Sequence, residues 1–133
     1  FHVKPLYLNN NQLKEIPAGN LPISRVFDSQ EALRKNEYLN YSSNSLLFFT
    51  TDGLIEEKNN GEIYGKRHYE ILKSNKNEKS ESIADKIRLN FNHFTAQNKA
   101  ADDITFLLFK MKWFIFLFLS KKMKEISKIS LII

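Results

Sequence analysis

Two acidic segments stand where they could do chemistry. Leu46-Leu47-Phe48-Phe49-Thr50-Thr51-Asp52-Gly53 is an apolar run ending in Thr-Asp-Gly, and Asp102-Asp103-Ile104-Thr105-Phe106-Leu107-Leu108 is an apolar run opened by paired aspartates. If both runs are strands, Asp52 lies just past a C-terminal end and Asp102 just before an N-terminal start. Antiparallel pairing would set both at one sheet edge. Neighbouring strands lie ~4.8 Å apart, so the two carboxylates could share one hard divalent cation. Each segment alone is weak, because Asp-Gly commonly closes a turn and Asp-Asp commonly sits in a solvated loop or cap.

The elements that must position these groups can be read along the chain. His2 to Leu8 and Gln12 to Ile16 read as short strands joined by Asn9-Asn10-Asn11, since asparagine tolerates left-handed backbone. Pro17, Gly19 and Pro22 make a loop. Tyr38 to Tyr41 is a candidate strand, and Leu46 to Thr50 reads as one covered on both faces. Asn59-Asn60-Gly61 is a turn, and Gly65 introduces a short amphipathic helix through Tyr69 and Leu72. Ser82 and Asp85 have capping-box spacing, and Ile83, Ile87, Phe91 and Phe94 repeat at helical spacing to give one buried stripe. Ile104 to Met111 closes the body as a strand. There are no internal repeats.

Bulk properties narrow the classes. The chain has 133 residues, one domain's worth. It begins at Phe1 and its first methionine is Met111, so it is expected to be a piece of a longer product. Cysteine is absent, which excludes disulfides and thiolate metal sites and suits a reducing compartment. The net charge of +5 is confined to the tail: residues 1–109 carry 14 basic and 14 acidic side chains, and residues 110–133 carry six lysines against Glu125. General phosphate-backbone binding therefore has no support, and no nucleic-acid partner is expected. The run Trp113 to Leu119 is too short for a membrane span, which needs ~20 apolar residues. With the lysines that follow it suits an interfacial anchor. The favoured expectation is that residues 112–133 are out-of-frame or read-through sequence outside the domain.

The order Thr51-Asp52-Gly53-Leu54-Ile55-Glu56, Asn60-Gly61-Glu62, Tyr64-Gly65 and Asp102-Asp103-Ile104-Thr105 resembles the catalytic domain of metal-dependent protein phosphatases (PPM), in the bacterial SpoIIE/RsbU-like branch. His2 to Pro5 resembles the end of that branch's AGH-x-x-P element, and Gly19 to Ile23 its G-x-x-P-L loop. The resemblance covers residues 1–111. It implies an α+β fold, the C-terminal part of a two-sheet β-sandwich flanked by helices. It also implies two Mn²⁺ or Mg²⁺ ions in the complete domain, with Asp52 and Asp102 as metal ligands and Gly53 and Asp103 in support. A metal-activated water would hydrolyse phosphoserine or phosphothreonine. The implied partner is a phosphoprotein, such as an anti-sigma-factor antagonist in partner switching. The implied location is cytoplasmic, with the parent tethered through preceding domains.

The sequence departs from the family upstream. It has no D-x-x-G-H-G element, whose Asp bridges the metals, so the chain alone is expected to be inactive. Two rival readings stay open: a truncated, non-catalytic remnant or interaction module, and a membrane-surface module acting through the tail. Glu56 is expected to cap the segment after Gly53, and His68 and His93 read as structural because they lack partners at ligand spacing.

Overall fold

The computed structural model describes residues 3–17, 36–112 and 128–132. The readings placed on His2, on Gly19 to Ile23 and on the apolar run after Lys112 lie outside the described residues. Strands β1 (Leu6–Asn9) and β2 (Gln12–Glu15) form a hairpin whose turn residues Asn10 and Asn11 both have positive φ, at 46° and 66°. β3 spans Asn36–Asn40 and β4 Leu46–Thr50. A single helical turn, α1 (Asp52–Ile55), leads into a small hairpin of β5 (Lys58–Asn59) and β6 (Glu62–Ile63). Helices α2 (Arg67–Ser74) and α3 (Ser80–Phe94) follow, then β7 (Phe106–Lys110) and β8 (Lys128–Ile132).

The main sheet is antiparallel in the order β2-β1-β4-β7, so β4 is paired on both sides. Strand alternation divides its residues between two faces. Leu6, Leu8, Leu46 and Phe48 pack with Leu54, Tyr64, Leu72, Ile83, Ile87 and Phe91. Tyr7, Leu47 and Ile16 form a second cluster on the opposite face, partly covered by Leu39 and Tyr41. The Tyr7 hydroxyl also donates to the Asn40 carbonyl at 3.1 Å, tying the end of β3 to β1. β8 pairs antiparallel with the whole of β3, from Asn36 opposite Ile132 to Asn40 opposite Lys128.

The stripe on α3 is buried at Ile83 and Ile87, which are fully inaccessible, and at Phe91, nearly so, while Phe94 at its end is only partly buried. Burying each such side chain contributes roughly 1.5–3 kcal/mol. The capping box is a correction. The helix begins at Ser80 after Lys79, no side chain caps it, and the Ser82 hydroxyl donates to Glu78 Oε2 at 2.6 Å. Asp85 pairs instead with Arg88 one turn on, at 2.8 Å. β7 also starts later than its apolar run, at Phe106.

His68 lies inside the helix–sheet interface, 1 % exposed, against the rings of Phe48, Tyr64 and Tyr69. Among the described residues, its Nδ1 and the Tyr64 hydroxyl have no hydrogen-bond partner. Burial pushes the imidazole down to about 4, and pushes the Tyr64 phenol up to about 12. The unfolded chain protonates this histidine below about pH 6.5, whereas the fold resists protonation down to about pH 4. Stability is therefore full above pH 6.5 and falls by about 3 kcal/mol in all as pH drops to 4. Urea unfolding at pH 7.5 and pH 5 should show about 2 kcal/mol of this loss, and His68→Phe should remove most of it. Equal pH slopes in the two proteins would refute the assignment.

Candidate metal centre

The register of β4 against β7 decides where the acidic groups meet. Thr50 pairs with Phe106, and the ladder runs one step further: Thr51 N–H donates to the Thr105 carbonyl at 2.9 Å. Thr105 N–H donates to Thr51 Oγ1 at 3.1 Å, and that hydroxyl donates to the Asp103 carbonyl at 3.3 Å. Thr51 thus fastens the Thr-Asp-Gly segment to the Asp-Asp-Ile-Thr segment through its side chain as well as its backbone. Asp52 then opens α1 on one side of the seam, and Asp102 lies in the loop on the other.

Gly53 shows how closely the two segments approach. A Cβ placed on it would lie 2.6 Å from the Asp103 carbonyl oxygen and 3.5 Å from Asp102 Cβ. The requirement here is space, since Gly53 is not among the residues with positive φ. Each carboxylate accepts a hydrogen bond from the amide that follows it: Gly53 N–H to Asp52 Oδ1 at 3.1 Å and Asp103 N–H to Asp102 Oδ1 at 2.8 Å. Each keeps its second oxygen for another partner, and neither is ion-paired among the described residues. Such a donor set suits a hard divalent cation. Asp103 acts through its backbone, as the acceptor for Thr51.

Asp52 and Asp102 line one open cleft of about 580 Å³ together with Glu56, Glu57, Lys58 and Ile63. Glu57 escaped the sequence reading. It is 8 % exposed, and its Oε2 accepts from Ala101 N–H at 2.9 Å, so a buried carboxylate holds the loop that carries Asp102. The signal was the Glu56-Glu57 pair two residues before the Asn60-Gly61 turn, where alternation turns one of the two glutamates inward. Glu56 does not cap with its side chain: its backbone N–H donates to the Asp52 carbonyl at 2.8 Å, and the side chain is exposed. It also lines a second cleft of about 340 Å³ with Lys4, Glu15, Lys66, His68 and Tyr69. There Lys66, at 2.8 Å, and the Tyr69 hydroxyl, at 2.9 Å, hold the Glu15 carboxyl below the usual range. His93 is exposed in the last turn of α3 and does not line the cleft.

Among the described residues no three His, Cys, Asp or Glu side chains come together closely enough to hold a metal ion by themselves, and no helix is long and apolar enough to cross a membrane.

The antiparallel sheet with helices packed on it matches a known phosphatase-domain fold. The solved structure described as the SiaA-PP2C domain of Pseudomonas aeruginosa shares it, with a TM-score of 0.61 and 17% sequence identity over 84% of this chain and 44% of that chain. This chain spans less than half the length of that structure. The profile of Stage II sporulation protein E (SpoIIE) matches residues 2–112, and the chain belongs to that family. No curated protein matches the chain.

Gly53→Ala should place a methyl against the Asp103 carbonyl and force the seam apart. A loss of roughly 1–3 kcal/mol is expected, read as a lower thermal midpoint. An unchanged midpoint would mean that the two loops adjust freely.

Proposed function

We propose that the chain is the C-terminal portion of a metal-dependent serine/threonine protein phosphatase domain, with Asp52 and Asp102 as its share of the metal ligands. The observation that supports this reading is the β4–β7 register, which brings together two carboxylates with free oxygens across a glycine that leaves no room for a side chain. Mn²⁺ or Mg²⁺ is the expected cation, because both take carboxylate oxygens. The chemistry that such a cation supplies is a water acidic enough to attack phosphorus near neutral pH, and neutralisation of phosphoryl charge.

The residues of the chain have their own tasks. Thr51 holds the two aspartate segments in register, and Glu57 fixes the loop before Asp102. Gly53 keeps the segments in contact. Family membership favours a phosphoprotein substrate, and within it a phosphorylated anti-sigma-factor antagonist in cytoplasmic partner switching. Residues 113–133 lie beyond the family match and take no part in this reading.

The lack of a third ligand beside Asp52 and Asp102 among the described residues favours a second reading, a module that builds half of a site and does not turn over alone. Calorimetric titration with Mn²⁺ tests the first part of the proposal. Asp52→Asn and Asp102→Asn should each weaken binding at least about tenfold, the scale expected for losing a charged ligand from a small set. Asp85→Asn, on exposed α3, should not. Equal Mn²⁺ binding by all three variants would overturn the assignment. Mn²⁺-dependent hydrolysis of an aryl phosphate by the wild-type chain, lost in both site variants, would exclude the half-site reading.

A further inference from the structure

The metal cleft has one wall that the metal chemistry does not use. Lys58 and Ile63 are directly opposite on β5 and β6, so their side chains share one face of the hairpin, and both line the cleft that holds Asp52 and Asp102. The same cleft is otherwise lined by carboxylates and small residues. Lys58 is its sole cationic side chain, is exposed, and forms no ion pair among the described residues. This is not for want of acidic neighbours, since Glu56 and Glu57 precede it and Glu62 faces the next residue. Two of those carboxylates are otherwise placed: Glu57 on Ala101, and Glu62 on Arg67 at 2.7 Å. Ile63 is 53 % exposed, a branched aliphatic presented to solvent at the rim of a polar cleft.

The hairpin is also held firmly. Tyr64 N–H donates to the Glu57 carbonyl at 2.8 Å and Gly65 N–H to the Ile55 carbonyl at 2.9 Å, which fastens its base to α1. The Asn59 side-chain amide, on the other strand face, donates to the Phe94 carbonyl at the end of α3. A short ribbon anchored to both helical neighbours thus offers one ammonium group and one aliphatic group to the cleft, with little conformational entropy left to lose on binding.

We infer that the β5–β6 hairpin is the substrate-reading edge of this cleft: Lys58 takes the phosphoryl oxygens of a phosphoserine or phosphothreonine, and Ile63 takes an apolar side chain next to it. The inference rests on the phosphatase reading above. A lysine suits the task because its ammonium is a compact charge on a flexible stem, able to follow a phosphoryl group without imposing a planar fork. It also offsets the repulsion that a phosphate dianion meets among carboxylates.

The test uses the whole chain, Mn²⁺ and two fluorescein-labelled phosphoserine peptides, one with leucine and one with serine beside the phosphoserine. Anisotropy reads peptide binding, and calorimetry reads Mn²⁺ binding on the same samples. Lys58→Ala should weaken both peptides by about tenfold or more, the scale of one charge-assisted hydrogen bond, and leave Mn²⁺ affinity unchanged. Lys58→Arg should restore most of the loss, which guards against a folding artefact. Ile63→Ser should remove the preference for the leucine peptide, expected at about tenfold from a single apolar contact. Peptide binding indifferent to Lys58→Ala, or a wild-type chain that takes up Mn²⁺ but neither peptide, would overturn the inference while sparing the metal centre. A wild-type chain that takes up no Mn²⁺ would overturn the phosphatase reading and the inference with it.

Discussion

The pairing of β4 with β7 is the constraint on which the structure depends. It makes β4 a central strand, buries Leu46, Leu47 and Phe48 between two apolar clusters, and fixes which residues emerge at its end. A slip of one residue would turn Phe48 away from the helices, and would separate Thr51 from Thr105. The register is thus held by core packing at one end and by the Thr51 hydroxyl at the other. Helices α2 and α3 cover the face bearing Leu46 and Phe48, and the hairpin β5–β6 is carried between α1 and α2. Even the far end of the seam is tied, with Asn44 N–H donating to Met111 and Met111 N–H to Ser45.

The polar and apolar sides of the molecule meet at Glu57. Its carboxylate is nearly inaccessible, yet it is satisfied by the Ala101 amide, while its carbonyl accepts from Tyr64. A buried acceptor of this kind is costly unless paired, so it favours one placement of the loop before Asp102 over the alternatives. On the other side of the same turn, His68 and Tyr64 are buried without partners for Nδ1 and the hydroxyl among the described residues. The site therefore leans on one satisfied polar group, and the interface behind it tolerates two unsatisfied ones. That contrast locates rigidity in front of the helices and sensitivity to protonation behind them.

Much of this was legible in the sequence where one physical rule governs a segment. The paired asparagines announced a left-handed turn, and the unbroken Leu-Leu-Phe-Phe run announced a strand covered on both faces. Helical spacing selected Ile83, Ile87 and Phe91 for burial, and the two aspartate segments were placed at one sheet edge by strand direction alone. Where two rules competed, the reading went astray. Ser82 and Asp85 have cap spacing, but Glu78 and Arg88 offered their side chains better partners, and the helix began three residues earlier. Ile104 and Thr105 continue an apolar run, but the Thr51 hydroxyl takes the Thr105 N–H in place of a backbone carbonyl, and the regular strand starts only at Phe106. Glu57, Lys58 and Ile63 gain their roles only from the hairpin register, which a two-residue strand scarcely signals. The family, by contrast, was legible because ordered short motifs constrain one another.

The order of the strands also bears on how the site comes into being. The β1–β2 hairpin, the β5–β6 hairpin and the α2–α3 pair join near neighbours, but Leu46 must find Lys110 across some sixty intervening residues. Closing a loop of that size costs entropy before any contact rewards it, so long-range pairing tends to be the slow event in folding. The two aspartates come together only when that loop closes. A cation that binds them would then act as a late clasp, drawing the folding equilibrium toward the closed chain in proportion to its concentration.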